Sequence, residues 1–142
     1  MNRMKTYIFI FLFIFLFTDH AFSKGNYFDQ GKKLFEKKNF SDSKFKFEQD
    51  IVFNPKNELS YLYLAKIFNE KKEYNLEEQN LNTVILLNPK NEEAVFLLTL
   101  LKIRQSDYSE SEKLIKNFKK ICKNLCAKET ELNTKIKNLQ TK

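Results

Sequence analysis

The chain has 142 residues, with 25 basic and 18 acidic side chains and a formal net charge of +7. That length fits one ordinary domain, and 42% hydrophobic with 30% charged residues is typical of a folded protein. Two glycines and two prolines leave little material for the tight turns of a sandwich or barrel. The composition therefore favours an all-α fold and argues against a disordered or all-β chain.

The first 23 residues have the pattern of a secretory signal peptide. Arg3 and Lys5 give a basic start, residues 7–17 are apolar without interruption, and Ala21 and Ser23 place small residues at the exit. The apolar run is shorter than the roughly 20 residues of a membrane span. We expect cleavage after Ser23 and a periplasmic or secreted protein. The alternative is a retained segment that anchors the protein in the inner membrane.

Residues 24–142, which remain after such cleavage, contain no histidine, because His20 is the single histidine of the chain. A serine or cysteine nucleophile activated by histidine is therefore excluded in them. Two cysteines are also too few for a zinc site built from four Cys or His ligands. We expect no enzymatic activity, no catalytic residue, no metal and no cofactor.

A 34-residue repeat organises the rest of the chain. Asn-Pro-Lys-Asn-Glu at 54–58 recurs at 88–92. A fixed period of this length indicates stacked units of two helices each. Further columns keep the offset over three copies: Tyr27, Tyr61 and Val95; Gly31, Ala65 and Thr99; Phe40, Tyr74 and Tyr108; Phe47, Leu81 and Ile115; Phe53, Leu87 and Ile121.

This pattern resembles the tetratricopeptide repeat (TPR) family. In that family a small residue lets two helices approach, aromatic side chains fill the space between them, and a proline ends the second helix. The resemblance implies an all-α, TPR-like α-solenoid of three helix pairs plus a C-terminal capping helix. The chain departs from the family pattern at positions that are usually small and apolar: Ser43, Asp50, Glu77 and Ser111. The expected boundaries are repeats at about 24–57, 58–91 and 92–125 and a capping helix at about 126–140.

Local signals agree with this division. We expect Asn57 and Asn91 to be helix N-caps, and Asp107 with Glu110 predicts a capping-box start. A capping helix would cover the apolar face that the last repeat leaves open, and Leu132, Ile136 and Leu139 recur at helical spacing within it. The other predicted helices lie near 26–37, 41–53, 58–71, 74–87, 92–104 and 108–121.

Cys122 and Cys126 bracket the turn at which the other repeats have Asn-Pro. An exported protein meets an oxidising compartment, so a disulfide is expected. Residues four apart on a helix have Cβ atoms about 5–6 Å apart, whereas a disulfide needs about 3.8 Å. The bond therefore requires the helix to end there. A free or metal-contacting pair and a redox pair are the alternatives.

The TPR resemblance also implies a concave face lined by the first helix of each repeat. We expect this groove to bind a protein or peptide in the cell envelope. The alternative is that the same side chains pack on the terminal segments or within the stack. The predicted groove residues are Phe28, Lys32, Phe35, Leu62, Lys66, Asn69, Phe96, Leu100 and Ile103.

One variant of the family binds a C-terminal carboxylate with Asn, Lys and Arg at set groove positions. Those positions here include Lys32, Tyr63, Glu93 and Leu97, so the clamp is missing. The resemblance therefore implies no role as a cytosolic co-chaperone.

The positive charge comes almost entirely from lysine, and Arg104 is the single arginine after residue 23. Recognition of phosphates and base edges favours arginine, so we expect no nucleic-acid partner. A solvated outer face is the simplest interpretation of the lysines, and an anionic surface is the alternative. The favoured function is a non-catalytic exported scaffold, and the alternative is a membrane-anchored accessory subunit of an envelope assembly complex.

Overall fold

Seven α-helices account for most of residues 26–140, the part of the chain that this computed structural model describes, apart from the side chains of Leu139 and Gln140. The predicted signal segment, residues 1–23, lies outside the described residues. None of the helices within 26–140 has the length and apolar character that crossing a membrane requires. The helices are α1 (Tyr27–Glu36), α2 (Phe40–Phe53), α3 (Glu58–Glu70), α4 (Tyr74–Leu87), α5 (Glu92–Arg104), α6 (Tyr108–Ile121) and α7 (Lys128–Gln140).

The helix boundaries follow the repeat. The second helices begin at Phe40, Tyr74 and Tyr108, which are 34 residues apart. Each predicted helix starts and ends within two residues of the observed one. The predicted all-α solenoid of three helix pairs with a C-terminal capping helix is therefore confirmed.

The predicted N-caps are present. Asn57 caps α3 and Asn91 caps α5 through their side-chain oxygens, and Asp107 accepts a hydrogen bond from the backbone N–H of Glu110 at 3.1 Å. The capping box is incomplete, because the Glu110 carboxylate pairs with Lys113 at 3.1 Å instead. The prediction of the cap was right, but that of the reciprocal bond was wrong.

The turn within each repeat passes through a residue in the left-handed conformation. Lys38, Lys72 and Ser106 have φ values of 58°, 59° and 61°. The N–H of the next residue donates to a carbonyl five residues back, as Glu73 does to Phe68 at 2.9 Å. This Schellman closure sets the same path between the two helices of every repeat.

A close approach at Gly31 fixes the spacing of α1 and α2. A Cβ atom at this position would lie 2.8 Å from Cε1 of Phe47. The Ser43 hydroxyl donates to the Gly31 carbonyl at 2.8 Å, which explains the polar residue at a site that is usually alanine. Because the ring of Phe47 is fully buried, it has little room to move.

The next repeats show how this contact varies. Ala65 and Leu81 occupy the equivalent positions in the second repeat, and Thr99 and Ile115 those in the third. All four are buried. Where the first helix has a residue larger than Gly31, the second helix has a residue smaller than Phe47. This exchange keeps the packing density between the two helices constant.

A buried carboxylate takes the place of an apolar residue in the first repeat. Asp50 is 3% exposed and accepts hydrogen bonds from Asn54 at 3.0 Å, Asn57 at 2.6 Å and Ser60 at 2.6 Å. Val84 is the buried apolar residue at the equivalent position of the second repeat. Because Asp50 is fully hydrogen-bonded, the departure from the apolar pattern does not leave an unsatisfied charge in the core.

The turns between repeats lie in a row that we call the turn edge, formed by the last residues of α2, α4 and α6 and the turns that follow them, residues 52–57, 86–91 and 120–127. A carboxylate ties each turn to the next: Glu58 accepts from the side chains of Asn88 at 2.8 Å and Asn91 at 3.2 Å. Glu92, at the equivalent position, accepts from the backbone of Asn124 at 3.0 Å and Leu125 at 2.8 Å. Consecutive turns are therefore neighbours.

The third turn contains the two cysteines. Helix α6 ends at Ile121, Cys122 has extended backbone angles, and the structure joins it to Cys126 in a disulfide with a Cα–Cα distance of 5.2 Å. The helix therefore ends where the bond requires it to.

Backbone N–H groups of this loop, first that of Lys123 and then that of Leu125, hold the pKa of Glu92 below its usual value. A lowered folded-state pKa means that this stabilisation is present at neutral pH and is lost as the pH falls through that pKa.

Helix α7 packs against α5 and α6, as the first helix of a fourth repeat would. Leu132 is fully buried and Ile136 is 8% exposed. The side chain of Leu139, also predicted to face the stack, lies outside the described residues. The capping helix therefore buries the apolar face that the third repeat leaves open.

The packing at Gly31 predicts a non-additive pair of substitutions. Gly31→Ala should destabilise the protein, because overpacking costs about 1–3 kcal/mol while the helix-propensity gain of alanine is about 1 kcal/mol. Combining it with Phe47→Leu reproduces the Ala65 and Leu81 pair of the second repeat. Urea denaturation of the single and double variants should show that Phe47→Leu costs less in the Gly31→Ala background than alone. Additive losses would contradict this account of the helix spacing.

Candidate functional site

The predicted groove residues of the first repeat are mainly packing residues. The ring of Phe28 lies 5.8 Å from that of Tyr63, and the ring of Phe35 lies 5.1 Å from it. Tyr63 also stacks on the buried ring of Phe47 at 5.0 Å. This aromatic cluster fills the space between α1, α2 and α3. Lys32 is exposed and lines neither of the clefts described below.

Three further predicted residues contribute to the core. Leu62 is 3% exposed and Ile103 is 4% exposed. Phe96 packs on Phe118 with a centroid distance of 6.1 Å, and the Lys128 ammonium lies 5.5 Å from the centre of its ring. The capping helix therefore supplies the cation that covers Phe96. The predicted groove residues of the third repeat, Phe96, Leu100 and Ile103, are thus only partly open to a ligand.

A cleft of about 230 Å³ opens between the first helices of the repeats. It contains the predicted residues Phe35, Lys66 and Asn69. The Lys66 ammonium pairs with Glu93 at 2.7 Å and lies 4.8 Å from the centre of the Tyr63 ring. We call this the central cleft, and it is lined by Phe35, Ala65, Lys66, Asn69, Glu70, Glu77 and Leu97.

Glu77 lies at the base of the central cleft and is 1% exposed. Its carboxylate accepts from Asn69 at 2.8 Å and from Arg104 at 2.8 and 3.0 Å. The ion pair joins the second repeat to the third, since Arg104 ends α5. This explains why the chain tolerates glutamate where the family pattern has alanine: a charge-assisted double hydrogen bond satisfies both oxygens.

A second cleft, of about 540 Å³, lies between α5 and the capping helix. It contains the predicted residues Leu100 and Ile103. Arg104 lines this cleft while its partner Glu77 lines the central one, so the ion pair lies between the two. We call it the cap cleft, and it is lined by Leu100, Ile103, Arg104, Ser106, Lys135 and Asn138.

The sequence predicted five of the residues that line these clefts and missed the others. Leu97 and Glu70 lie one residue after predicted positions, so a wider stripe on each first helix would have included them. Lys135 and Asn138 were missed because the last helix was interpreted only as a cover. Its role as a wall depends on the angle at which it packs, which residue spacing does not give.

The two clefts together carry both signs of charge. Lys66 is paired with Glu93, and Arg104 with Glu77. Lys135 contacts Glu131 more loosely, at 3.9 Å. The groove therefore offers apolar surface, hydrogen-bonding groups and balanced charge, and it does not concentrate cations at one point.

No protein-family model and no curated protein matches the sequence. Solved structures do match. The TPR2B domain of yeast Sti1, in a complex with pHsp70, is 14% identical, covers 77% of this chain and 91% of that one, and has a TM-score of 0.71. The chain has the tetratricopeptide repeat fold.

Two further matches have the same architecture. The TPR domain of Sgt2 from Aspergillus fumigatus is 13% identical, covers 82% of this chain and 79% of its own, and has a TM-score of 0.69. The Yersinia enterocolitica type III secretion chaperone SycD, in complex with a peptide of the translocator YopD, is 11% identical, with coverages of 81% and 90% and a TM-score of 0.72. The TPR resemblance predicted from the repeat is thus confirmed at the level of the fold.

Three of the four positions of the carboxylate clamp hold residues that are engaged elsewhere or apolar, and the fourth, Lys32, is exposed. Tyr63 is part of the aromatic cluster, Glu93 carries a negative charge that pairs with Lys66, and Leu97 is apolar. A free carboxylate at this point would meet Glu93 rather than a set of unpaired cations.

The Glu77–Arg104 pair predicts an asymmetry in stability. Arg104→Met leaves a buried carboxylate with Asn69 as its remaining partner, which should cost about 3 kcal/mol. Glu77→Ala leaves an arginine that is 40% exposed and can be hydrated, so the expected cost is about 1 kcal/mol. Urea denaturation measures both. Equal losses, or a larger loss for Glu77→Ala, would contradict the view that an unpaired buried carboxylate accounts for the cost of removing Arg104.

Proposed function

We propose that the protein is a non-catalytic scaffold that binds a peptide segment of a partner protein in its concave groove. The observation that carries the proposal is the position of the central cleft and the cap cleft on either side of one ion pair, Glu77–Arg104, whose carboxylate is buried. A peptide crossing that ion pair would reach apolar residues in both clefts, Leu97 in the first and Leu100 in the second. The peptide complexes of SycD and Sti1 on the same fold support a peptide as the ligand.

The groove indicates the chemistry of that peptide. Each cleft combines apolar side chains with a few polar groups, which is the usual composition of a site that orients a ligand. Lys66, Glu70 and Lys135 provide charges of both signs at the rims. We infer a peptide with two apolar side chains, one for each cleft, and mixed charges between and beside them. A terminal carboxylate is not required, because the clamp is absent.

We further propose that the protein acts outside the cytoplasm. The signal-peptide pattern of residues 1–23 and the joined cysteines support export. In this proposal the mature protein begins at Lys24 and its partner is a component of the cell envelope. The alternative is an anchored accessory subunit of an envelope assembly complex. Extraction without detergent followed by N-terminal sequencing separates them, since an anchored protein stays in the membrane and keeps Met1 or its neighbours.

Peptides selected from a random display library against the immobilised protein test the groove. Leu97→Ala and Leu100→Ala should each weaken the binding of the selected peptides at least about fivefold, because a central apolar anchor contributes more than about 1 kcal/mol. Leu86→Ala is the matched control, since Leu86 is 81% exposed on a second helix, away from both clefts. Fluorescence polarisation with labelled peptides measures the dissociation constants.

The three variants distinguish the outcomes because they make the same chemical change. Circular dichroism melting checks that each variant remains folded. Peptides that bind all three variants as they bind the wild type would place the binding surface outside the groove. Peptides weakened only by Leu86→Ala would assign it to the outer face.

A further inference from the structure

The turn edge carries the two most exposed large apolar side chains of the described residues. Val52 is 75% exposed and Leu86 is 81% exposed. They are equivalent residues of the first and second repeats, each next to the end of its helix, and Leu87 beside Leu86 is 36% exposed. Because the turns that follow them are linked through Glu58, the two exposed apolar residues lie on the same edge of the fold.

Lysines accompany these apolar residues. Lys56 and Lys90 are equivalent residues in the turns that follow Val52 and Leu86, and Lys120 occupies the position of Val52 and Leu86 in the third repeat. All three are exposed, and none has an ion-pair partner among residues 26–140. The turn edge therefore offers unpaired positive charge beside exposed apolar groups.

The acidic residues of the same edge are already engaged. Glu58 is hydrogen-bonded by Asn88 and Asn91, and Glu92 by the backbone of the disulfide loop. The donors are neutral amides, so both carboxylates keep their negative charge. The three lysines outnumber these two carboxylates by one, and the edge keeps a small positive excess among these residues.

The chain also enters the fold at this edge. Tyr27 begins α1, and its ring stacks on Phe53 at 5.5 Å, directly before the first turn of the edge. The apolar run of residues 7–17 precedes Tyr27 by nine residues. In the alternative in which residues 1–23 are retained as an anchor, the anchor joins the fold beside the turn edge.

We propose that the turn edge rests on an anionic bilayer surface. Val52 and Leu86 enter the headgroup region, while Lys56, Lys90 and Lys120 contact lipid phosphates. This is the combination by which peripheral proteins bind membranes: a few apolar side chains for insertion and lysines for attraction to anionic lipid. A second copy of the chain fits this surface less well, because pairing two such edges brings unpaired lysines together. Bilayer contact at the edge leaves both clefts of the groove open.

Tryptophan substitutions test this proposal, because the chain contains no tryptophan. Leu86→Trp places the probe on the turn edge. Gln79→Trp is the control: it is an exposed position seven residues earlier on α4, about 10 Å further along the helix axis. The full chain is mixed with vesicles of phosphatidylcholine and phosphatidylglycerol that carry brominated acyl chains, and with vesicles of brominated phosphatidylcholine alone.

The Leu86→Trp protein should show a blue shift and bromine quenching on the anionic vesicles, and the Gln79→Trp protein should show neither. Adding Lys90→Gln and Lys120→Gln to Leu86→Trp should lower the apparent affinity for the anionic vesicles, about fivefold for each lysine. Equal responses of the two probes, or equal quenching on the uncharged vesicles, would overturn the proposal. A blue shift that grows with protein concentration without vesicles would assign the edge to self-association instead. These substitutions lie outside the groove and should leave peptide binding unchanged. Failure of the bilayer proposal can therefore be distinguished from failure of the peptide-binding proposal.

Discussion

The structure depends on one steric constraint, the close approach of the two helices within each repeat. Gly31 leaves room for the ring of Phe47 where a Cβ atom would lie 2.8 Å from it, and the equivalent pairs, Ala65 with Leu81 and Thr99 with Ile115, are also buried. This contact fixes the angle within a pair, and the left-handed turn residue fixes the path between its helices. Because the same solution recurs every 34 residues, the first helices align on one side and create the groove.

Polar side chains then connect one repeat to the next. Glu58 and Glu92, at equivalent positions, tie successive turns together through different donors: asparagine side chains in one case and the backbone of the disulfide loop in the other. The disulfide loop thus replaces the Asn-Pro turn without breaking the series. On the concave side, the Glu77–Arg104 pair likewise joins the second repeat to the third. Both the repeated glutamates at the turns and Glu77, which departs from the apolar pattern, therefore join adjacent repeats.

The period was readable from the sequence because identical residues recur at a fixed spacing, and the helix boundaries followed from it to within two residues. The groove was only partly predictable. The column that contains Phe28, Leu62 and Phe96 was expected to face a ligand, yet these residues pack in or against the core, since the outcome depends on which neighbours fill the space. The bond between Glu77 and Arg104 spans 27 residues, and the wall formed by α7 depends on its packing angle. Neither the ion pair nor the packing angle of α7 can be predicted from the residues of one sequence segment.

We have proposed the concave groove, rather than the outer face, as the working surface. Photo-crosslinking in living cells tests this most directly, with a benzophenone amino acid introduced at Leu97 in the groove or at Asn82, an exposed residue on the outer face of α4. We expect a discrete protein adduct from Leu97 and none from Asn82. Adducts from Asn82 with none from Leu97 would contradict it.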